Sequence, residues 1–420
     1  MASDVVLAAA AGVFVLTYVL ISLRQVARFP LERPATAMLG AALMLLLGIV
    51  GPAEALAAIN VDVLLLLIGM MILVSGLEVC GFFDLVAARV ALRSRDQASL
   101  LAGLMVVTAV LSALVLNDTI ALLVTPVVVR SARALRVNPV PHLVALAIAV
   151  NVGSLATEVG NPQNAYIAIR SGIPFLDFAL VMAPVMAACL VVSILLVRRA
   201  FRKELAAPLP AQRDPPAVRL HRRGLALTLG VVLATVAAFF LSRPASLPFI
   251  ALAGGAVVLF FLPLAAPTTP RALIAKVDWG IILFFTGLFI VLGGVRASGL
   301  SAAIQDGFTS LFGGAGGLPW LTGLSALLSN AISNVPAVLL LSEVVEGTGG
   351  SRLLWFALAS SSTLAGNATI LGAAANVIVV QAASKEGVEV SMRDFVRAGL
   401  PVTVVTLVLS TALLVLLVPA

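Results

Sequence analysis

Residues 154–164 of the chain read Ser-Leu-Ala-Thr-Glu-Val-Gly-Asn-Pro-Gln-Asn, and residues 366–376 read Gly-Asn-Ala-Thr-Ile-Leu-Gly-Ala-Ala-Ala-Asn. The two stretches share the pattern Ala-Thr-x-x-Gly-x-x-x-Asn at a constant spacing of 212 positions, from 156 to 368 and from 164 to 376. Each stretch is a polar island inside an apolar run, and Gly and Pro interrupt helices. These stretches therefore predict two related halves, each with one broken helix.

The composition around these islands is that of a membrane protein. Of the 420 residues 61% are hydrophobic and 11% are charged, and the mean hydropathy is +1.15. Soluble domains contain about 25% charged residues, so this much apolar material has to face lipid. The composition predicts an all-α polytopic membrane protein whose first run is already a spanning helix. Two Cys and two His residues are too few to suggest a disulfide framework or a metal cluster, and no cofactor is expected.

Six apolar runs lie on each side of a polar linker. The first six are at about 5–23, 36–50, 61–80, 98–130, 140–172 and 175–197, and the second six at about 224–242, 248–265, 277–295, 319–345, 352–383 and 398–419. We therefore predict a first repeat over residues 1–200, a linker over 201–222 and a second repeat over 223–420. The broken helices fall at about 140–172 and 352–383.

The basic residues predict the orientation. They lie in short loops and in the linker, so the pI near 10.4 reflects cytoplasmic loops rather than nucleic-acid binding. The fourth run has Arg93 and Arg95 before it and Arg130, Arg133 and Arg136 after it. Both of its ends belong on one side, which predicts a re-entrant hairpin over about 98–130 with its turn near residues 117–118. Arg24, Arg28 and Arg33 after the first run, and Arg271, Lys276, Lys385, Arg393 and Arg397 in the second half, are also predicted to be cytoplasmic.

The same plan applied to the second half places a hairpin at about 319–345 that enters from outside. Each half then has about five spanning helices, including the broken one, plus one hairpin. Because five is odd, the halves are predicted to be inverted relative to each other, with a cytoplasmic linker and both termini outside. Arg296, at an outer end, departs from the expected charge pattern.

The hairpin tips read Leu-Asn-Asp-Thr at 116–119 and Ser-Asn-Val-Pro at 333–336. At such tips and breaks, unpaired backbone groups need a partner, and half-helix ends can supply N–H groups or carbonyls to a substrate or ion. Small polar residues can also serve only to pack helices together. The candidate substrate-binding residues are Asn117, Thr119, Thr157, Asn161, Gln163, Asn164, Ser333, Asn334, Asn367, Thr369 and Asn376.

Two acidic residues interrupt the symmetry. Asp118 lies at the first hairpin tip and Glu158 in the first break, whereas the second half has Val335 and Ile370 at these positions. A carboxylate at mid-membrane costs about 2.5–3.5 kcal/mol on insertion scales, and the repeat itself does not need it. We therefore expect Asp118 and Glu158 to couple transport to H⁺ or Na⁺. The alternative is a carboxyl group that stays neutral or hydrogen-bonded.

With these motifs the chain resembles the ion transporter superfamily of arsenite permeases, citrate and dicarboxylate carriers and sodium/proton antiporters. The Gly-Asn-Pro-Gln-Asn run at 160–164 and the Asn-Asp pair at 117–118 resemble the arsenite-permease-like branch, which includes plant silicic-acid efflux transporters. Glu158 departs from the apolar residue expected there. The resemblance implies a scaffold domain, a transport domain that holds both hairpins, and a homodimer.

Three transport functions remain open. The first is proton-coupled efflux of a metalloid hydroxide or oxyanion, such as arsenite, antimonite or silicic acid, across a bacterial-type inner membrane. The absence of Arg and Lys from the islands favours a neutral solute or a cation. The others are sodium/proton antiport and sodium-coupled transport of carboxylates or sulfate. A passive channel fits inverted repeats less well, and the sequence has no nucleophile–base pair or metal-ligand run typical of an enzyme.

Overall fold

The computed structural model describes residues 2–23, 32–209, 219–312 and 317–418. Within these ranges the regular structure is helical, and no strand is present. Arg24 and Arg28 of the predicted orientation signal, and residues 210–218 of the predicted linker, lie outside the described residues. An all-α fold was predicted from the composition, and the structure confirms it.

The helices of the first half begin with a long helix and end with a longer one. In chain order they are α1 (Ala2–Leu23), α2 (Arg33–Leu46), α3 (Pro52–Ala58), α4 (Val61–Val79), α5 (Phe82–Arg93), α6 (Gln97–Leu114), α7 (Asn117–Ala134), α8 (Pro139–Ser154), α9 (Pro162–Ser171) and α10 (Phe175–Ala200).

The helices of the second half follow in the same order of long and short elements. They are α11 (Arg222–Leu241), α12 (Leu247–Ala265), α13 (Pro270–Ile274), α14 (Trp279–Ala297), α15 (Leu300–Phe312), α16 (Gly317–Ile332), α17 (Asn334–Gly347), α18 (Arg352–Ala365), α19 (Ala374–Lys385) and α20 (Met392–Leu417).

Corresponding helices begin with the same local chemistry. Asn60 caps α4 by accepting a hydrogen bond from the backbone N–H of Val63 (3.1 Å), and Asp278 caps α14 in the same way through Ile281 (3.2 Å). Such side-chain caps satisfy the free N–H groups of a first helical turn. The two helices are each 19 residues long, so α4 and α14 align residue by residue, 218 positions apart.

The regions predicted as hairpins and broken helices contain helix pairs. Helices α6 and α7 contact each other and are separated by residues 115–116, whereas α16 and α17 are separated by Ser333 alone. Helices α8 and α9 are separated by residues 155–161, and α18 and α19 by residues 366–373, which include a 3-10 turn at Ile370–Gly372. The short helices α3, α5, α13 and α15 were not predicted, because none of them forms a continuous apolar run.

The helices assemble into two bundles. The six-helix bundle contains α1, α2, α4, α11, α12 and α14, in which α4 packs on α12 and α14 packs on α2. The hairpin bundle contains α6–α10 and α16–α20, in which α6 packs on α8, α16 on α18 and α10 on α20. Helices α5 and α15 contact both bundles and link them.

Eight helices among the described residues are long and apolar enough to cross a membrane. Many of their large apolar side chains are exposed, such as Leu16, Leu195, Phe260 and Val408, as expected for surfaces that face lipid. The 14-residue helix α2 and the 16-residue helix α8 are apolar but shorter. The protein is therefore a polytopic helical membrane protein.

The ion pairs among the described residues agree with the predicted inverted topology, which stays a prediction. Each pair joins two residues that this topology places on the same side of the membrane. At the predicted cytoplasmic side the pairs are Arg130–Asp84, Arg133–Glu386, Lys276–Glu78 and Arg397–Glu204. At the predicted outer side they are Arg170–Glu343, Arg170–Glu346, Arg296–Glu343 and Arg352–Asp177.

The six-helix bundle depends on two close helix contacts at glycine. A Cβ atom built on Gly69 of α4 lies 2.4 Å from the carbonyl carbon of Ala251 on α12. A Cβ atom on Gly287 of α14 lies 2.6 Å from the carbonyl carbon of Ala37 on α2. Only glycine permits backbones to approach this closely, which is a common device in membrane helix packing.

We expect Gly69→Leu and Gly287→Leu each to lower the free energy of unfolding by about 1–3 kcal/mol, because the new side chain has to displace backbone. Thermal unfolding of the detergent-solubilised protein measures the effect. The matched controls are Gly12→Leu and Gly230→Leu, whose Cβ positions have no neighbour within 4 Å. Equal unfolding temperatures for all four variants would contradict the close-contact interpretation.

Candidate functional site

Each hairpin tip is bound to the helix break of its own half. In the first half, the backbone N–H of Asn117 donates to the carbonyl of Gly160 (2.9 Å). In the second half, with the Asn334 amide in the orientation that satisfies both of its polar atoms, its nitrogen donates to the carbonyls of Ser362 (3.0 Å) and Gly372 (2.9 Å). Hairpin and break therefore form one unit in each half.

The threonines of the repeat strengthen this connection. The hydroxyl of Thr157 donates to the carbonyl of Ala113 on α6. The hydroxyl of Thr369 lies 3.4 Å from Oδ1 of Asn330 on α16, at the position equivalent to Ala113. The side chain of Asn330 also donates to the carbonyl of Ala365 (2.9 Å). Sequence analysis missed Asn330 because its aligned position in the first half is apolar.

The shared asparagines cap the breaks. Nδ2 of Asn164 donates to the carbonyls of Ser154 (3.2 Å) and Thr157 (3.1 Å). Nδ2 of Asn376 donates to the equivalent carbonyls, those of Gly366 (2.6 Å) and Thr369 (2.9 Å). The repeat motif therefore produces the same hydrogen bonds in both halves, since each Asn donates to two carbonyls that a continuous helix would have paired.

Each break also contacts the helix that precedes the break of the other half. Nδ2 of Asn151 on α8 donates to Oδ1 of Asn367 (3.1 Å) and Oδ1 of Asn376 (2.8 Å) in the second half. On the opposite side of this contact, the hydroxyl of Thr363 on α18 accepts from Nδ2 of Asn161 (3.3 Å) and Nε2 of Gln163 (3.4 Å). One buried polar cluster therefore joins the two halves.

Sequence analysis missed Asn151 and Thr363, although they lie 212 positions apart, at the spacing of the repeat. Neither residue is next to a Gly or Pro that marks a break. A search for polar residues at this spacing inside the flanking helices could have found them.

Glu158 lies in the first break and is completely buried. Among the described residues neither of its carboxylate oxygens has a hydrogen-bond partner, and the same holds for Oδ1 of Asn151, Oδ1 of Asn164 and Nδ2 of Asn367. A buried charged carboxylate without a partner is strongly unfavourable. This position therefore requires either a protonated carboxyl or a bound cation to neutralise it.

A cavity of about 220 Å³ lies where the hairpin tips, the breaks and the six-helix bundle meet. The amino-terminal ends of α7, α9, α17 and α19 all reach it, through Asp118, Pro162, Val335 and Ala374. Helix amino termini carry partial positive charge, so together they favour an oxygen-rich or anionic group. Ser333 also lines the cavity, and its positive φ of 79° is uncommon for residues other than glycine.

The six-helix bundle contributes charged side chains to this cavity. Glu32 and Arg33 at the start of α2 and Asp278 at the cap of α14 line it, together with Gln381 of α19. The islands themselves contain no Arg or Lys, but the tertiary structure brings Arg33 to the same cavity as Asp118. The sequence predicts only an orientation signal at Arg33, because no local pattern places the start of α2 beside a hairpin tip.

The predicted site residues therefore divide into three groups. Asp118 and Ser333 line the 220 Å³ cavity, and Thr119 lines a second cavity on the other side of α7. The remaining candidates do not line either cavity. Glu158 is buried in the first break without a hydrogen-bond partner among the described residues. The others make hydrogen bonds at the tips and breaks; they are Asn117, Thr157, Asn161, Gln163, Asn164, Asn334, Asn367, Thr369 and Asn376. Direct contact of these residues with a substrate stays a prediction.

We expect Asn164→Asp and Asn376→Asp to destabilise the protein, because an ionised carboxylate cannot donate to the break carbonyls. Each buried carbonyl left unpaired costs about 1–3 kcal/mol. Thermal unfolding and the yield of monodisperse protein measure this. Asn60→Asp is the matched control, since Asn60 only accepts at its cap and Asp already occupies the equivalent position 278. Break variants as stable as this control would show that the two amides are dispensable.

Comparison with known proteins gives a consistent assignment. The model of the family described as "CitMHS: Citrate transporter" matches residues 18–360. The uncharacterized transporter Rv2685 of Mycobacterium tuberculosis (strain ATCC 25618 / H37Rv) is 36% identical over 96% of both chains. The silicon efflux transporter LSI3 of Oryza sativa subsp. japonica is 30% identical over 90% of this chain and 91% of its own.

Among solved structures, the YdaH transporter of Alcanivorax borkumensis has a similar fold. Its TM-score is 0.59 with 97% of both chains covered, and its sequence is 15% identical, so this likeness concerns the fold alone. The family model covers most of the chain and the relatives align over nearly their whole length, and both identify a membrane transporter. The chain belongs to the CitMHS citrate transporter family of the ion transporter superfamily.

Proposed function

We propose that this transporter carries a small inorganic solute by proton-coupled alternating access, with efflux of a metalloid hydroxide or oxyanion such as arsenite, antimonite or silicic acid as the preferred case. The observation that carries this proposal is the cavity of about 220 Å³ with the Asp118 carboxyl at its wall. This volume has room for more than one water molecule, which suits a small hydroxylated solute. The efflux transporter named for silicon supports the direction and the solute class.

The geometry suggests how the solute and the proton share the site. The amino-terminal ends of four helices direct their partial positive charge toward the cavity, which favours the oxygen atoms of a solute. Asp118 can accept a hydrogen bond from a neutral hydroxide when it is ionised, or donate one when it is protonated. Exchange of its proton as the cavity changes sides would couple the two fluxes. The buried Glu158 carboxyl has no partner among the described residues, and in this proposal it carries a proton or a cation.

A second candidate is sodium-coupled transport of a carboxylate or sulfate. Arg33 in the cavity favours it, because a guanidinium group pairs well with carboxylates and oxyanions, and the family description names citrate. Sodium/proton antiport by Asp118 and Glu158 is the third. In each case we propose a location in a bacterial plasma membrane with the central linker cytoplasmic and both termini outside, and assembly as a homodimer.

Proteoliposomes with a pH or Na⁺ gradient, tested with arsenite, silicate, succinate and Na⁺, separate these functions. We expect pH-driven arsenite or silicate flux that persists without Na⁺. Flux of Na⁺ alone against H⁺ would overturn the metalloid proposal in favour of antiport, and succinate flux that requires Na⁺ would establish the carboxylate carrier.

We expect Asp118→Asn and Glu158→Gln to reduce uphill, proton-driven flux to background, because the amide cannot exchange a proton. Asp118→Asn should still allow downhill exchange of the solute. Asp62→Asn is the matched control, since Asp62 lies in the first turn of α4 and lines neither cavity. If Asp118→Asn keeps uphill flux with unchanged pH dependence, its coupling role is wrong.

Arg33→Gln distinguishes a neutral solute from an anion. For an anionic solute we expect the apparent affinity to fall at least about tenfold, since a charge-assisted hydrogen bond contributes about 1.5–3 kcal/mol. For arsenous or silicic acid at neutral pH we expect a change below about threefold. Concentration dependence of flux in the same proteoliposomes measures both.

A further inference from the structure

One end of the protein is closed by a network of charges between the two bundles. Arg296, at the end of α14 in the six-helix bundle, pairs with Glu343 of α17 in the hairpin bundle (Nη2 to Oε1, 2.5 Å). Arg170 of α9 pairs with Glu346 and Glu343. The Glu343 side chain is only 12% exposed, and the space beside this pair is about 10 Å³. This is the predicted outer end.

The repeat locates the corresponding positions at the other end. Since α4 aligns with α14 from cap to last turn, Glu78 corresponds to Arg296, with the opposite charge. Helix α7 aligns with α17 through the tip asparagines, so Pro126 is the position equivalent to Glu343. Arg130 is one helical turn beyond Pro126 and therefore lies on the same face of α7. Glu78 and Arg130 are thus the charge-reversed counterparts of Arg296 and Glu343, respectively.

In this structure Glu78 and Arg130 have other partners. Nζ of Lys276 lies 2.6 Å from Oε1 of Glu78, and Nη2 of Arg130 lies 2.7 Å from Oδ1 of Asp84. All four side chains line a cavity of about 470 Å³ that runs along α7 up to Thr119, next to Asp118. The predicted cytoplasmic end is therefore open between the bundles, whereas the other end is closed.

We propose that Glu78 and Arg130 pair with each other when the protein changes to its opposite conformation, closing this cavity while the Arg296–Glu343 pair separates. This inference rests on the proposed alternating access. The exchange keeps both charges paired, which avoids the large cost of burying either one alone. Lys276 and Asp84 can be released to solvent because their side chains are already 38% and 44% exposed.

Cross-linking tests the proposed pair directly. Glu78→Cys and Arg130→Cys are combined in a chain whose buried Cys80 and Cys189 are replaced by alanine, and a short bifunctional thiol reagent is added. We expect Arg296→Gln to raise the cross-linking rate about fivefold, since loss of the outer pair destabilises the state described here by an amount typical of a surface ion pair.

A control pair separates the gate from general loosening. Glu78→Cys with Lys276→Cys joins two residues that are already paired, and its cross-linking should not increase with Arg296→Gln. If Arg296→Gln leaves the cross-linking rates of both pairs unchanged while the control pair still cross-links, the proposal is overturned. The cross-linking assay needs no solute. If the transport assays fail but the cross-linking result is as expected, the proposed function is wrong and the proposed gate stands.

Charge reversal gives an independent test that needs no cross-link. Glu78→Arg together with Arg130→Glu places like charges next to Lys276 and Asp84 but keeps opposite charges across the cavity. Leu340→Cys, which lines the small outer space, is added to this double variant. We expect a membrane-impermeant maleimide to label this cysteine about fivefold faster than in the protein without the charge reversals. Each single reversal also repels its proposed partner and should change the rate little. Labelling of the double variant no faster than that of either single reversal would overturn the proposal.

Discussion

The structure depends on the requirement that backbone carbonyls and N–H groups be paired where water is absent. A helix that stops inside a membrane protein leaves such groups open. Here the amides of Asn164 and Asn376 each occupy two of the open carbonyls. The breaks are thereby held in a shape that directs the amino termini of α9 and α19 to the central cavity. Interruption of the helices, which would otherwise be unfavourable, places the partial positive charge of their amino termini at the candidate site.

The two halves differ in their acidic residues, which the repeat itself does not supply. The capping asparagines, the bound hairpin tips and the cross-contacts of Asn151 and Thr363 recur in both halves and build the framework. The carboxyls of Asp118 and Glu158 are present only in the first half, opposite an apolar residue in the second. The framework is therefore common to both halves, whereas these carboxyl groups distinguish the first half from the second.

The predictable residues were those with a local signal. The equivalence of Asn164 and Asn376 followed from spacing alone, and the tip at Asn117 followed from charge on both sides of one apolar run. Arg33 at the cavity wall was not predictable as a site residue, because nothing near it in sequence indicates that α2 begins beside α7. Helix α5 was missed for a different reason: its exposed face is polar, so it does not read as an apolar run, although its Asp84 faces the second cavity.

The sequence by itself determined that this protein is helical, membrane-embedded and internally repeated, because composition and one-dimensional spacing carry that information. It also identified the breaks, since Gly, Pro and Asn interrupt helices locally. Only the tertiary structure decided that most of the polar side chains of the islands cap backbone groups, whereas Asp118 and Arg33 share the cavity. Which end is open was decided there too, because a side chain's partner depends on the packing of two bundles whose contacting residues are far apart in the chain.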